Sequence, residues 1–373
     1  MKKNLIAAAV AGVLAVPFAV QAGSHGGGPK VDVGADAQMF YLYNDNTTAD
    51  TTTDEWQSRV RVKFTATDGK NAMAAARIRM RDYHGDKAKD GGPGKSTNDS
   101  FYVDYAYLQL NVDDMFKLKA GDWDRNWGHK LYLYDKGAHG ASILKDIGPI
   151  KLSLHYVMIE EDTGSVDADA SDDDTFKVVL SGTFDGKHGA RLDMYTDNGA
   201  VAGEEDSYME FDAFTTIGVG GWTLAAEAAM KEAKKVGADD QTALMLAAIG
   251  KVGPADLTAM YAMSMDGFQT DDDMLPLPFT GAHDGTIFEG LGRLTTKDSS
   301  IFALVPSFGI TPTMTLTGGL AMVSHDDDVD GIQVYTASLN KALTKKSSLT
   351  FDVAQFDGDV EFTGFAVFAD TKF

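Results

Sequence analysis

The 373-residue chain has no cysteine. That excludes a disulfide framework, Cys-ligated zinc, an iron–sulfur cluster, covalently attached haem and a Cys nucleophile. Proline is scarce, at 9 residues, which argues against Pro-rich disorder. Positive charge is outnumbered: 33 Lys and Arg stand against 55 Asp and Glu, a formal net charge of −22. Nucleic-acid binding rests on a basic surface, so no nucleic-acid partner is expected. No stretch past the first residues approaches the roughly 18 apolar residues of a membrane-spanning helix. Catalytic signatures are missing as well. There is no G-x-S-x-G elbow, no H-E-x-x-H and no phosphate-binding loop, and the eight histidines lack metal spacing. No enzymatic activity and no resident cofactor are expected.

What is present begins with a leader. Residues 1–22 carry Lys2 and Lys3, an apolar run from Leu5 to Val16, Pro17, and the small residues of Val20-Gln21-Ala22. This is the layout of a secretory signal peptide, cleaved to leave a mature chain of 23–373. Its two lysines leave with it, taking the net charge from −22 to −24. An exported chain without spanning helices is soluble or a membrane β-barrel, which also satisfies its backbone inside lipid.

The rest of the chain alternates. Trp56, Ser58, Val60, Val62, Phe64 and Ala66 interleave with Gln57, Arg59, Arg61, Lys63 and Thr65. Period-two patterning marks a strand with two unlike faces. Asp68-Gly69-Lys70-Asn71 is a tight-turn signal, after which alternation resumes at Ala72. About eighteen such segments run from 31–43 to 360–373, with sixteen as the alternative count. Segments 221–232 and 241–251 are Ala- and Met-rich enough to read as helical on propensity. Yet Trp222, Leu224, Ala226, Ala228 and Met230 fall on one face at period two. Short connections such as Gly148-Pro149 and Thr311-Pro312 alternate with longer polar ones such as 84–100 and 267–298. Membrane barrels pair short periplasmic turns with long outer loops in this way. The fold expected is therefore all-β: a transmembrane antiparallel up-and-down barrel. So wide a barrel leaves an aqueous channel. A mean hydropathy of −0.18 fits a polar lumen inside an apolar belt. Tyr41, Tyr43, Trp56, Tyr102, Trp222, Tyr261 and Phe373, near strand ends, suit interfacial girdles.

Two stretches carry a resemblance. The terminal VEFTGFAVFADTKF sets Thr363, Phe365, Val367, Ala369, Thr371 and Phe373 on one face. It resembles the carboxy-terminal signature of Gram-negative outer-membrane proteins, which implies that Phe373 is read by the barrel-assembly machinery. Asp104-Tyr105-Ala106-Tyr107-Leu108-Gln109-Leu110, Phe116 to Trp123, and Trp127-Gly128 resemble the hairpin before the inward-folded third loop of Gram-negative porins. Gln109 stands where that family usually has Gly, and Asp122 where it has a basic residue. The Trp127-Gly128 pair is also similar to eighteen-stranded substrate-specific porins. The resemblance implies an outer-membrane porin of a Gram-negative bacterium, passing ions and small hydrophilic solutes by passive diffusion. It also implies lipid and lipopolysaccharide as surroundings, a homotrimer, and a constriction loop at 124–137.

Alternation places Arg59, Arg61, Lys63, Arg77, Arg79 and Arg81 on the polar faces of two strands joined by a tight turn. Charge on a lipid face costs about 2–4 kcal/mol per Lys or Arg, so these six belong in the lumen as a basic wall. The plainer account is a solvated basic face balanced by neighbouring carboxylates. Porins of the resembled family oppose such a wall with an acidic constriction loop, which implies Asp122, Asp124 and Asp135 as its acids. Acidic runs also fill the long connections, at Glu160 to Asp174, Asp271–Asp273 and Asp326–Asp328. Solvated loops explain them; divalent-cation binding against lipopolysaccharide is the functional alternative. The narrowest point decides selectivity, so an anion-tolerant or mixed pore is expected. Two other classes remain in view. One is a barrel that sheathes a partner, as an electron conduit, or serves as a surface adhesin. The other is an outer-membrane hydrolase or secreted all-β polysaccharide enzyme, which needs a catalytic constellation the sequence does not display.

Overall fold

Alternating side chains build strands throughout. The computed structural model describes residues 30–47, 51–85, 100–113, 115–129, 131, 134–159, 175–197, 207–233, 239–268, 277, 298–325, 331–358 and 361–373. The expected leader at 1–22 and the acidic runs at 160–174, 271–273 and 326–328 lie outside these residues. The strands are β1 (Lys30–Asn46), β2 (Thr51–Thr67), β3 (Ala72–Gly85), β4 (Ser100–Val112), β5 (Phe116–Asn126), β6 (Tyr134–Ile147), β7 (Ile150–Ile159), β8 (Thr175–Phe184) and β9 (His188–Asp197). They continue as β10 (Ser207–Val219), β11 (Trp222–Lys231), β12 (Gln241–Val252), β13 (Ala255–Met265), β14 (Ser299–Thr311), β15 (Met314–His325), β16 (Ile332–Ala342), β17 (Ser347–Gly358) and β18 (Phe362–Lys372).

Each strand pairs antiparallel with its neighbours in sequence, and β1 pairs with both β2 and β18. The sheet is thus a closed barrel of eighteen strands without an edge. The Ala- and Met-rich segments are strands β11 and β12, paired from Thr223↔Ile249 to Lys231↔Gln241. The start of β1 and the last residue sit at the short-turn rim: Lys30 pairs with Thr67, and the Phe373 N–H donates to Ala35 O at 2.8 Å. At the first short turn, Asp68 Oδ1 accepts from the N–H groups of Lys70, Asn71 and Ala72 at 2.8, 2.7 and 2.9 Å. Gly69 there has φ +85°, which only glycine adopts without strain.

One face of every strand looks outward. Val60, Leu108, Ile143, Leu154, Phe211, Leu246, Phe302 and Phe351 stay exposed on it, as a lipid-facing belt requires. Where β18, β1 and β2 meet, Tyr41 packs on Trp56 and Phe365 with ring centroids 5.0 and 5.6 Å apart.

The interior is not uniform. From β2 to β11 the inward side chains are largely polar or charged, with Val157, Val179 and a few alanines among them. From β12 through β18 to the outer half of β1, most are apolar and buried: Met245, Met260, Ile301, Val305, Val323, Val334, Phe356, Phe362, Phe368, Phe40 and Leu42. Leu131, Phe268 and Leu277, from connections rather than strands, complete this cluster. Part of the lumen is therefore filled, where width alone predicts open water. The last strand shows the reason: Phe365 faces out, while Phe362 and Phe368 on its other face are buried.

The β5–β6 hairpin differs from the expected 124–137 loop. Residues 124–126 and 134–137 are strand, with Arg125↔Asp135 and Asn126↔Tyr134 paired, so the connection is only 127–133. Alternating ladder bonds satisfy those backbone groups better than a loop in the lumen can.

Candidate functional site

The basic residues stack as a ladder. In the β2–β3 register, Arg59 lies opposite Arg81, Arg61 opposite Arg79, and Lys63 opposite Arg77. Like charges directly opposed are destabilising unless counter-charges intervene. Three carboxylates do so. Asp36 of β1 accepts from Arg61 Nε at 2.8 Å. Asp104 of β4 takes both Arg77 Nε and Arg79 Nε at 2.6 Å. Asp370 of β18 lies in the field of Arg59 and Arg61. Lys63 is exposed and meets no carboxylate among the described residues. The Arg77 guanidinium lies 4.6 Å from the Tyr105 ring centroid. The Arg81 side chain lies outside the described residues; its backbone holds the register.

A bulge supplies the shared acid. Arg77 pairs with Tyr105 and Ile78 with Val103, which makes Asp104 an extra residue in β4. Strict alternation would put Tyr105 and Asp104 on opposite faces. The inserted residue re-aims the carboxylate inward, onto both arginines.

The acids implied for the constriction loop are placed otherwise. Asp122 remains on β5, in a cross-strand row with Ala106, His139 and Met158. Met158 is an exposed residue of the outer belt, so Asp122 belongs to the outward face, 3.7 Å from His139 Nδ1. Period two along β5 carries Lys119 and Trp123 inward and Asp122 out. The side chains of Asp124 and Asp135 lie outside the described residues.

Carboxylates do face the ladder, from the opposite wall. Glu210, Asp212 and Glu227 on β10 and β11 are 3, 1 and 1% exposed. Eight strand positions in eighteen separate β2–β3 from β10–β11, nearly a half turn. Glu210 pairs with Lys231 at 3.1 Å. Asp212 and Glu227 lie against each other and receive the β5–β6 connection. Trp127 Nε1 donates to Asp212 Oδ1 at 2.6 Å, and the His129 N–H donates to Glu227 Oε2. The Leu131 N–H bonds the Glu227 carboxylate as well. His129 Nε2 reaches Thr215 O at 3.2 Å, and the Trp127 and Phe214 rings meet edge to face at 5.3 Å. A connection from β5 can touch inward groups of β10 and β11 only by crossing the interior. The inward fold implied by the resemblance is thus present, in a shorter segment.

Along β5 to β9, beside Trp127, lies a cavity of about 300 Å³, lined by Lys119, Trp123, Trp127, Ser142, His155 and Arg191 among others. His155 bridges two serines: Nδ1 meets Ser142 Oγ at 2.6 Å and Nε2 meets Ser153 Oγ at 2.8 Å. A neutral imidazole donates at one nitrogen and accepts at the other, so both bonds form at once. Arg191 and Lys177 share Asp193 on the adjoining strands.

Sequence alternation did not single out Asp212 and Glu227, though a signal was there. Glu227 interrupts the outward set Leu224, Ala226, Ala228 and Met230 at an odd position, which turns it to the lumen.

The chain is similar in structure to Pseudomonas aeruginosa OccK9 (OpdG), with 13% identity, TM-score 0.65, and coverage of 92% of this chain and 98% of that one. Pseudomonas aeruginosa OpdQ gives 11% identity, TM-score 0.65, and coverage of 92% and 99%. Acinetobacter baumannii OccAB4 gives 12%, 0.62, and 92% and 98%. At such identities the likeness concerns the fold alone. No curated protein sequence matches. The Gram-negative porin family matches residues 7–359, nearly the whole chain. On that match the chain belongs to the Gram-negative porin family, and it is a non-enzymatic outer-membrane channel through which solutes diffuse.

Proposed function

We propose that solutes pass along the polar arc from β2 to β11, and that the ladder of Arg59, Arg61, Lys63, Arg77, Arg79 and Arg81 makes the passage favour small anions. One observation carries this: the β2–β3 register sets three like-charge pairs opposite one another on an inner wall, with Asp36 and Asp104 drawn in against them. Such a wall raises the local anion concentration, and the narrow part of a pore weights that effect most. The buried acids of β10 and β11 lie under the loop, so they oppose the ladder only from behind it. Assembly as a homotrimer and delivery by the barrel-assembly machinery belong to the same reading. In support, Phe373 is 72% exposed at the rim, where a partner can reach it.

Reversal potentials across a planar bilayer under a salt gradient test the reading. Replacing Arg77 and Arg79 together (R77E/R79E) should raise the cation-to-anion permeability ratio about threefold. An unchanged reversal potential in that variant removes the ladder from the path.

A further inference from the structure

We propose that Asp212 and Glu227 are positioning residues: they clamp the 127–131 segment across the lumen, and this clamp sets the aperture while hiding two acidic side chains from passing ions. Two buried carboxylates placed together on one wall are unfavourable unless donors reach them. The segment brings those donors, from Trp127 Nε1, the His129 N–H and the Leu131 N–H. Gly128 shows how close the fit is. It has φ +56°, and a Cβ built there would stand 2.5 Å from Glu227 Oε1. A side chain there is strained by the positive φ and presses on the Glu227 carboxylate. Leu131, fully buried, anchors the far side of the segment in the apolar cluster. The segment thus joins polar wall to apolar filling, and both carboxylates are 1% exposed because it covers them.

The clamp makes two variants behave differently in single-channel recordings of the full-length protein. Gly128→Ala wedges the segment off Glu227 and leaves both acids in place. Its conductance should rise about 1.5-fold, and its cation-to-anion permeability ratio about twofold, as the acids meet the path. The double variant D212A/E227A also frees the segment but carries no acids. It should gain conductance without shifting toward cations. A residue that only supported the barrel would not produce this split. Trp127→Phe keeps the ring against Phe214 and loses the bond to Asp212, so open-channel noise should grow at an unchanged main level. Heat-modifiable migration on gels identifies the folded barrel in each case. Should the wall double fail to assemble, the two segment variants decide. Wild-type conductance, noise and reversal potential in Gly128→Ala and Trp127→Phe overturn the proposal, as does a cation shift of equal size in Gly128→Ala and D212A/E227A. The ladder stays intact in all three, so these outcomes stand apart from that of R77E/R79E.

Discussion

The two arcs of the inner wall use the same strands and the same lipid-facing pattern, and they solve different problems. On β2 to β11 the inward side chains include many charges held by charges, as Arg77 and Arg79 are by Asp104. On β12 to β18 they are hydrocarbon held by hydrocarbon: Val334 and Ala321 are fully buried, and Phe268 and Leu277 pack among their neighbours. Burying a large apolar side chain contributes about 1.5–3 kcal/mol. The filled arc therefore stiffens the barrel where water is not needed and confines the polar passage to the other side. The division also explains the short β5–β6 segment: with one side filled, it need only span from β5 to β10.

The sharpest way to break this contrast is to put a charge on the filled side. Val334→Asp buries a carboxylate with only hydrocarbon around it and should destabilise by on the order of 5 kcal/mol. Gln57→Glu adds the same charge at similar burial, 2% exposed, one ladder position from Arg59, and should change stability by less than about 1 kcal/mol. Urea midpoints of the folded barrel in detergent compare the two. Equal losses would mean that the arcs do not differ in polarity. A smaller effect lies at Asp104. Asp104→Ala leaves Arg77 and Arg79 without their shared acceptor, opposite Lys63 and Arg61. The arginines are partly hydrated, so the cost should be about 2 kcal/mol at low salt. In 1 M salt, where the screening length is about 3 Å, much of it should disappear. A salt-independent loss would point to packing instead of charge repulsion.

Strand positions were legible because one face of each strand must meet lipid, and period two records that demand residue by residue. The ladder was legible for the same reason: six cations cannot face acyl chains. The filled arc was not. Phe362, Phe365 and Phe368 are all apolar, and alternation fails to say which is inside when both faces are greasy. Its packing partners Phe268 and Leu277 come from a connection, and no local pattern ties them to β16 or β18. Asp104 was hidden by its bulge, since one inserted residue reverses the parity that alternation relies on. Asp122 was misplaced for a different reason. Its place among the constriction acids came from the resemblance, while the parity of β5 that carries Lys119 inward puts its carboxylate outside. Asp212 and Glu227 could have been found by parity; that they meet a segment from β5 is a tertiary fact.

The smallest difference between the arcs lies at the short-turn rim, and pH should reveal it. Beneath the ladder, the β2–β3 turn is capped by a carboxylate, Asp68, which accepts three backbone N–H bonds. Beneath the filled arc, hydroxyls cap the turns: Thr344 Oγ1 accepts from the Lys346 N–H at 3.1 Å, and Thr311 Oγ1 from the Thr313 N–H at 3.3 Å. Only the first cap titrates. Its N–H donors favour the anion and hold the Asp68 pKa below its ordinary value of 3.8. A lowered pKa in the folded state means the stabilisation is complete above that ordinary value and fades as pH falls through the folded one. Between pH 5 and 2, then, the β2–β3 turn should loosen while those of β14–β15 and β16–β17 do not. Amide hydrogen exchange resolved by segment measures this: exchange at 69–72, corrected for its intrinsic pH dependence, should accelerate in acid. Asp68→Asn, which keeps an acceptor but cannot ionise, should flatten that response, with a stability change below about 1 kcal/mol because the turn is open to water. An acid response that survives in Asp68→Asn would place the sensitivity outside this cap.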